Sequence, residues 1–432
     1  MSIPIGRVIH VTRIVGAARR SWRHCTVSDE RSALRQDPRG SVGTIRTQYL
    51  DLVEPLRLDS GKTIAPVRIA YETYGTQVPE KDNVVLVCHA LSGDAHAAGW
   101  SDDPTAPTTV DGVGAADRGK RGLGWWDGMI GPGKAFDTDR YFVVCTNLIG
   151  SCRGSTGPAS VDPATGKPYG ATFPVLTVGD MVRAQRVFLR ALGIDRLFAI
   201  SGGSLGGMQA LEWAVAYPDA VRAIVPIAST ARLGTQGVAW NAIARNAITS
   251  DPDWQGGAYD GTGRSPDAGI KVARMVGHIT YLSAHAVREK FGRRFQRGGD
   301  EPLYELATPD FEVESYLRYQ AEAFAARFDA NAYLYISRAL TYFDLARTYG
   351  QGSLERALAR VRAATLLLSF SSDWLYPPRD SDEIAAALRS TGKDVRHAII
   401  QAEYGHDSFL LEEEEMTREI GAFLDRAGEK VA

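Results

Sequence analysis

Continuous apolar runs rich in β-branched residues recur along the chain and alternate with stretches of helical period. The segments Val67–Tyr74, Asn83–His89, Tyr141–Asn147, Leu197–Ser201, Val221–Ile227, Ala364–Ser369 and Val395–Gln401 predict strands. In "VVLVC", "YFVVC" and "TLLLSF" apolar residues follow one another without alternation, so both faces of the sheet must be covered. Strand–helix alternation of this kind predicts an α/β fold with a mostly parallel central sheet and helices on both faces.

The alternation stops near Ala231. From there to about Ser353 the segments "AWNAIARNAI", "PDAGIKVARMVGHITYLSAHAVREKFGRRF", "VESYLRYQAEAFAARF" and "NAYLYISRALTYFDLA" all read as helices, and strand signal resumes at Ala364. This is a helical insertion in an α/β domain. Parallel sheets bind ligands at the carboxyl ends of their strands, so the insertion is expected to be a lid over that edge. The expected organisation is an N-terminal extension at 1–45, a core of 46–235 and 352–432, and a helical lid at 236–351. The first 28 residues carry five arginines and no acid. Arg7 and Arg13 interrupt the apolar part, which makes a poor secretory signal, and the extension is expected to be disordered.

Composition removes several function classes. A net charge of −2 gives no basic surplus, so no nucleic-acid partner is expected. No apolar run approaches the roughly 18–20 residues of a membrane-spanning helix, so no membrane is expected either. The four cysteines (Cys25, Cys88, Cys145 and Cys152) form no C-x-x-C pair, which fits a reducing, cytoplasmic protein. His89 and His96 lack metal-ligand spacing, and no metal is expected.

The chemistry concentrates at "SGGSLGGMQALEWA". Glycine-rich turns either cradle phosphate or present a nucleophile. Gly202-Gly203-Ser204-Leu205-Gly206 fits G-x-S-x-G, with the strand "RLFAIS" before it and a helical pattern after it. That context is the nucleophile elbow, where glycines on either side of a strained serine make room for close neighbours. The phosphate alternative lacks its lysine here. A near match at Gly128–Lys134 is followed by Ala135 instead of a Mg²⁺-binding hydroxyl, and by a strand instead of a helix.

A nucleophilic serine needs a base, and the base needs an orienting acid. Asp373 follows the strand in "LLLSFSSDWLYPP", and His406 follows the next strand in "RHAIIQAEYGHDSFL". The order serine, acid, histidine is the one this elbow requires. Ser204 as nucleophile, His406 as base and Asp373 as orienting acid are the predicted catalytic residues. The bland alternative is a helix-capping Asp373 and a surface His406. The amides of Leu205 and Leu91, the latter in the loop after "VVLVC", are the predicted oxyanion donors. His89 beside that loop is expected to be a hydrogen-bonded structural residue.

"HALSGDAH", "GWWDGMIGPGKAFDTDRYFVVCTNLIGSCRGSTGPAS", "SGGSLGGMQALEWA", "ARMVGHITYLS", "SSDWLYPP" and "EYGHDSFL" resemble the homoserine O-acetyltransferases of the α/β-hydrolase fold. The resemblance runs from about Gln48 to the C-terminus. It implies the triad Ser204, Asp373 and His406, a substrate-binding arginine at Arg274, a substrate-binding aspartate at Asp407, and a lid tyrosine near the acceptor at Tyr281. A guanidinium suits the homoserine carboxylate and a carboxylate suits its ammonium. Succinyl-CoA users in the family carry arginine two residues after the catalytic aspartate. Leu375 stands there in this chain, which favours acetyl.

The resemblance thus implies ping-pong acetyl transfer from acetyl-CoA to L-homoserine in methionine biosynthesis. Acetyl-CoA is a co-substrate, and no bound cofactor is expected. It also implies a homodimer built through the lid helices. A succinyl-CoA-dependent homoserine or serine O-acyltransferase, and an esterase with water as acceptor, are the alternatives.

Overall fold

The computed structural model describes residues 40–103, 122–296 and 301–429. All of them belong to the compact unit Arg39–Ala432. Most of the expected N-terminal extension, with Cys25, lies outside the described residues.

Eight strands form one sheet: β1 (Gln48–Leu52), β2 (Val67–Tyr74), β3 (Val84–Cys88), β4 (Phe142–Thr146), β5 (Leu197–Gly203), β6 (Val221–Ile227), β7 (Ala364–Phe370) and β8 (Val395–Ile400). Their spatial order is β1-β2-β4-β3-β5-β6-β7-β8. From β4 onward every neighbouring pair is parallel, whereas β2 pairs antiparallel with both β1 and β4. Every predicted strand is present. Strand β1 was not predicted: "QYLDL" is mostly exposed and only its last residue is buried.

The apolar runs feed two cores. Along β3, Val84, Leu86 and Cys88 enter one, while Val85 and Val87 enter the other. Successive side chains of a strand point to opposite faces, so a run with no polar residue needs cover on both. On one face lie α1 (Val178–Ala191), α2 (Leu205–Ala216) and, from later in the chain, the helix Pro378–Ser390. Helix α1 starts at a capping box in which Thr177 Oγ1 accepts from the Asp180 amide and Asp180 Oδ2 accepts from the Thr177 amide. The other face is covered by the helix Glu413–Glu429, through Met416, Ile420 and Leu424, and by Trp125, Trp126 and Phe136.

Between β6 and β7 the described chain is helical, as predicted: α3 (Thr235–Thr249), α4 (Asp267–Tyr281), α5 (Ala284–Phe291), α6 (Glu312–Ala325) and α7 (Ala330–Tyr342), then the short Leu345–Gly350 and Leu354–Leu358. The long stretch read as one helix from Pro266 is two. It breaks at Leu282, which has extended dihedrals, and Ser283 caps α5 by accepting from the Ala286 amide.

Candidate active site

The turn after β5 holds Ser204 at φ 58° and ψ −120°, a conformation few non-glycine residues adopt. Its amide donates to Ile227 O, and its carbonyl accepts from the amides of Gly207 and Met208 and from Ser229 Oγ. The flanking glycines are required by contact. A Cβ at Gly202 or Gly206 would collide with the Cys88 carbonyl, one at Gly203 with the Phe409 ring, and one at Gly207 with the Ser229 side chain. The strain is therefore held by packing on every side.

Asp373 and His406 follow the carboxyl ends of β7 and β8, on the same edge of the sheet as Ser204. Asp373 Oδ1 accepts from the Leu375 and Tyr376 amides at 2.9 and 3.0 Å, and Oδ2 lies 2.8 Å from His406 Nδ1. An ionised carboxylate can only accept, so Nδ1 carries the proton and Nε2 is left as the acceptor. The imidazole is boxed by the rings of Tyr376, Phe409 and Tyr281, with centroids at 5.1, 5.4 and 6.1 Å.

The inserted helices brace this histidine. Gly405, at φ +74°, sits where a Cβ would press on Tyr281 O and the Ser283 amide, at the break between α4 and α5. Trp374 Nε1 donates to Leu282 O, and Ser283 Oγ donates to Glu403 O. The loops carrying Asp373 and His406 are thus both tied to one helix break.

Two narrow pockets meet at Leu91, Ser204 and Tyr281. One, of about 60 Å³, is lined by Arg274, His406 and Asp407. The other, of about 50 Å³, is lined by Trp240, Leu340, Leu375 and Tyr376. Every predicted side chain except Asp373, which backs His406, therefore borders one or both. The amides predicted as oxyanion donors, Leu91 and Leu205, give no hydrogen bond to any backbone carbonyl among the described residues.

Arg274 is buried, with its guanidinium 4.7 Å from the Phe324 ring centre and 5.7 Å from that of Tyr281. Asp407 is buried beside His406. Burial pushes its carboxyl up to about 7, against the opposing pull of His406 and Arg274. Its Oδ2 accepts no hydrogen bond among the described residues. His89 is structural, as expected: Nδ1 gives its proton to Ala90 O at 2.7 Å and Nε2 accepts from the Leu148 amide.

Several residues at or near the site were not predicted. Trp240 and Tyr376 line the second pocket, and Tyr376 lay in view within "DWLYPP". His278, one turn from Arg274 on α4, is buried with neither ring nitrogen hydrogen-bonded. Burial, then the charges of Arg274 and Lys290, lower its pKa to about 2, so it is a neutral ring. Nothing in its spacing marked it.

A family model described as the alpha/beta hydrolase fold matches residues 83–413. A homoserine O-acetyltransferase of Methanosalsum zhilinae is 50% identical over 90% of this chain and 74% of its own length. One of Solidesulfovibrio magneticus is 49% identical over 91% and 96%. Among solved structures, homoserine O-acetyltransferase from Bacillus anthracis superposes with a TM-score of 0.79 at 30% identity, covering 88% of this chain and 98% of that one. Esterase E22 superposes at 0.77 and 30% identity, over 88% and 100%. With its strained serine and inserted helices, the chain belongs to the homoserine O-acetyltransferase family of the α/β-hydrolase fold.

Proposed function

We propose that this acyltransferase moves the acetyl group of acetyl-CoA to the hydroxyl of L-homoserine through an acetyl-Ser204 intermediate. The observation that carries the reading is one pocket that joins Ser204 and His406 to a buried guanidinium, Arg274, and a buried carboxylate, Asp407. Opposite charges in a space of about 60 Å³ suit a small zwitterion with its own hydroxyl turned toward the serine.

His406 Nε2 takes the Ser204 proton as Oγ attacks the thioester carbonyl. The amides of Leu91 and Leu205 hold the resulting oxyanion. The C–S bond breaks, and the thiolate leaves with the proton from His406. Homoserine then enters, its carboxylate on Arg274 and its ammonium on Asp407, with Tyr281 closing over it. His406 takes the hydroxyl proton as that oxygen attacks the acetyl carbon. Collapse of the second oxyanion restores Ser204 Oγ–H with the same proton. The inserted helices act as a lid that keeps water from the acetyl-enzyme.

Leu375 borders the pocket beside Ser204, where an apolar side chain leaves a succinyl carboxylate without a partner. Exposed Val272 and Ile279 on α4, seven positions apart, and Ile243 on α3 support a homodimer through the lid. Cys88, Cys145 and Cys152, free thiols among the described residues, support a cytoplasmic enzyme.

Thiol release from acetyl-CoA, followed with and without homoserine, tests the reaction. Homoserine is expected to turn a single-turnover burst into steady release with O-acetylhomoserine as product, and Ser204→Ala is expected to abolish both. Steady release without homoserine, giving free acetate, would make the chain an esterase. Faster turnover with succinyl-CoA would reverse the assignment of the donor.

A further inference from the structure

A third cavity lies farther along the same pair of helices as the apolar pocket. Positions 237, 241, 245 and 249 form one ridge on α3, spaced by single turns. Gly237 and Asn241 line the pocket at Ser204, whereas Arg245 and Thr249 line a cleft of about 500 Å³. Helix α7 is shared in the same way: Leu340 borders the pocket and Arg338 borders the cleft. Asn241 Nδ2 and Arg245 Nη1 donate to the same two acceptors, Ser337 O and Thr341 Oγ1, at 3.0–3.4 Å. The pocket and the cleft are therefore neighbours along one helix pair, with these hydrogen bonds between them.

The charge in the cleft is one-sided. Arg245 is only 9% exposed, and neither it nor Arg338 forms an ion pair with a carboxylate among the described residues. Burial and then the nearby Arg338 charge lower the Arg245 pKa, so each guanidinium makes the other less favourable. The bonds from Arg245 to α7 need only a neutral amide, and a second cation beside it weakens the fold. An anion with more than one charge turns that liability into a binding site. Trp254 adds a flat ring at the wall, fixed by its Nε1–H bond to Asn331 Oδ1 at 3.0 Å.

The donor in the proposed reaction has matching ends. Its thioester sits at one end of a long amide-bearing arm, and its phosphates and adenine sit at the other. Trp240 Nε1, shielded from solvent and without an acceptor among the described residues, is a donor available to that arm at the Ser204 end. We propose that the Arg245–Arg338 cleft binds the phosphate-bearing end of acetyl-CoA, with both guanidiniums on its phosphates and Trp254 against the adenine. This rests on acetyl-CoA being the donor.

The test compares acetyl-CoA with S-acetylpantetheine, which keeps the thioester and arm but lacks the phosphates. In Arg338→Ala the KM for acetyl-CoA is expected to rise about tenfold, while that for S-acetylpantetheine and that for homoserine stay within about twofold. Arg245→Gln, which keeps donors for Ser337 and Thr341, is expected to give the same split. Equal loss with both donors, or no change with either, would overturn the assignment. Calorimetry of the wild-type chain with adenosine 3′,5′-bisphosphate reads the cleft without turnover. Binding that weakens in Arg338→Ala supports the site, and absence of binding overturns it. Inorganic phosphate bound equally well would reduce the cleft to a plain anion site and also overturn it. A chain that binds the bisphosphate yet releases no thiol from acetyl-CoA would count against the reaction and not against the cleft.

Discussion

The two pockets that meet at Ser204 are opposite in chemistry. In one, the guanidinium of Arg274 and the carboxyl of Asp407 are both buried at the pocket wall. In the other, Trp240, Leu340, Leu375 and Tyr376 line the wall, and no side chain bears a full charge. Burying a charge is unfavourable unless a partner offsets it, so the charged pocket is built at the expense of stability and the apolar one is not. Asp407 records that conflict directly: burial holds its carboxyl near neutrality despite Arg274 and His406 close by. The difference separates roles. In the proposed reaction the charged pocket suits an acceptor that brings its own charges, and the apolar pocket suits a neutral acyl group.

The sharpest break in this contrast is Arg274→Ala. Removing one side of a buried charge pair is expected to cost about 100-fold or more in kcat/KM for homoserine. Acetyl-enzyme formation, read as the thiol burst, should stay within about threefold, because in the proposed reaction the donor enters by the other pocket. A burst lost to the same extent as homoserine turnover would show that the two pockets are not separate in function.

A second test uses pH. The folded chain keeps the Asp407 proton up to about pH 7, whereas the unfolded chain releases it near the ordinary carboxylate range. Between those values the folded state binds more protons, so stability falls as pH rises through that window, and the penalty is fullest above it. Asp407→Asn is therefore expected to raise Tm more at pH 8 than at pH 5, with homoserine use impaired at both. An equal shift at the two pH values would mean that Asp407 is not the group being desolvated.

The smallest effect is expected in the apolar pocket. Leu375→Arg should shift the ratio of succinyl-CoA to acetyl-CoA turnover toward succinyl by about tenfold, since the new guanidinium can pair with the succinyl carboxylate. An unchanged ratio would remove Leu375 from control of the acyl group.

Much of this arrangement was legible along the chain, and what escaped has physical causes. Strands β3 to β7 announced themselves because both of their faces are buried, whereas β8, an edge strand with only Ile400 buried, was legible from its apolar residues alone. Strand β1 did not, because an edge strand with exposed residues carries little apolar signal. The helix break at Leu282 was marked only by Ser283, a capping residue inside an otherwise helical pattern. His278 stood inside the quoted "ARMVGHITYLS", but its burial was not legible there, since a buried neutral histidine and an exposed charged one are spelled alike.

Local sequence settled what local sterics settle. A serine at φ 58° between close neighbours demands glycines around it, and the strand–turn–helix pattern fixes where it stands. The later loops carrying Asp373 and His406 follow from strand order, because parallel strands bring their carboxyl ends to one edge. Only the tertiary structure brought Arg274 on α4 into the same pocket as Asp407, braced His406 against the α4–α5 break, and set Arg245 and Arg338 in one cleft along the α3–α7 seam. Those features depend on which surfaces exclude water from one another. Desolvation is a property of the packed whole, and no segment of the chain encodes it alone.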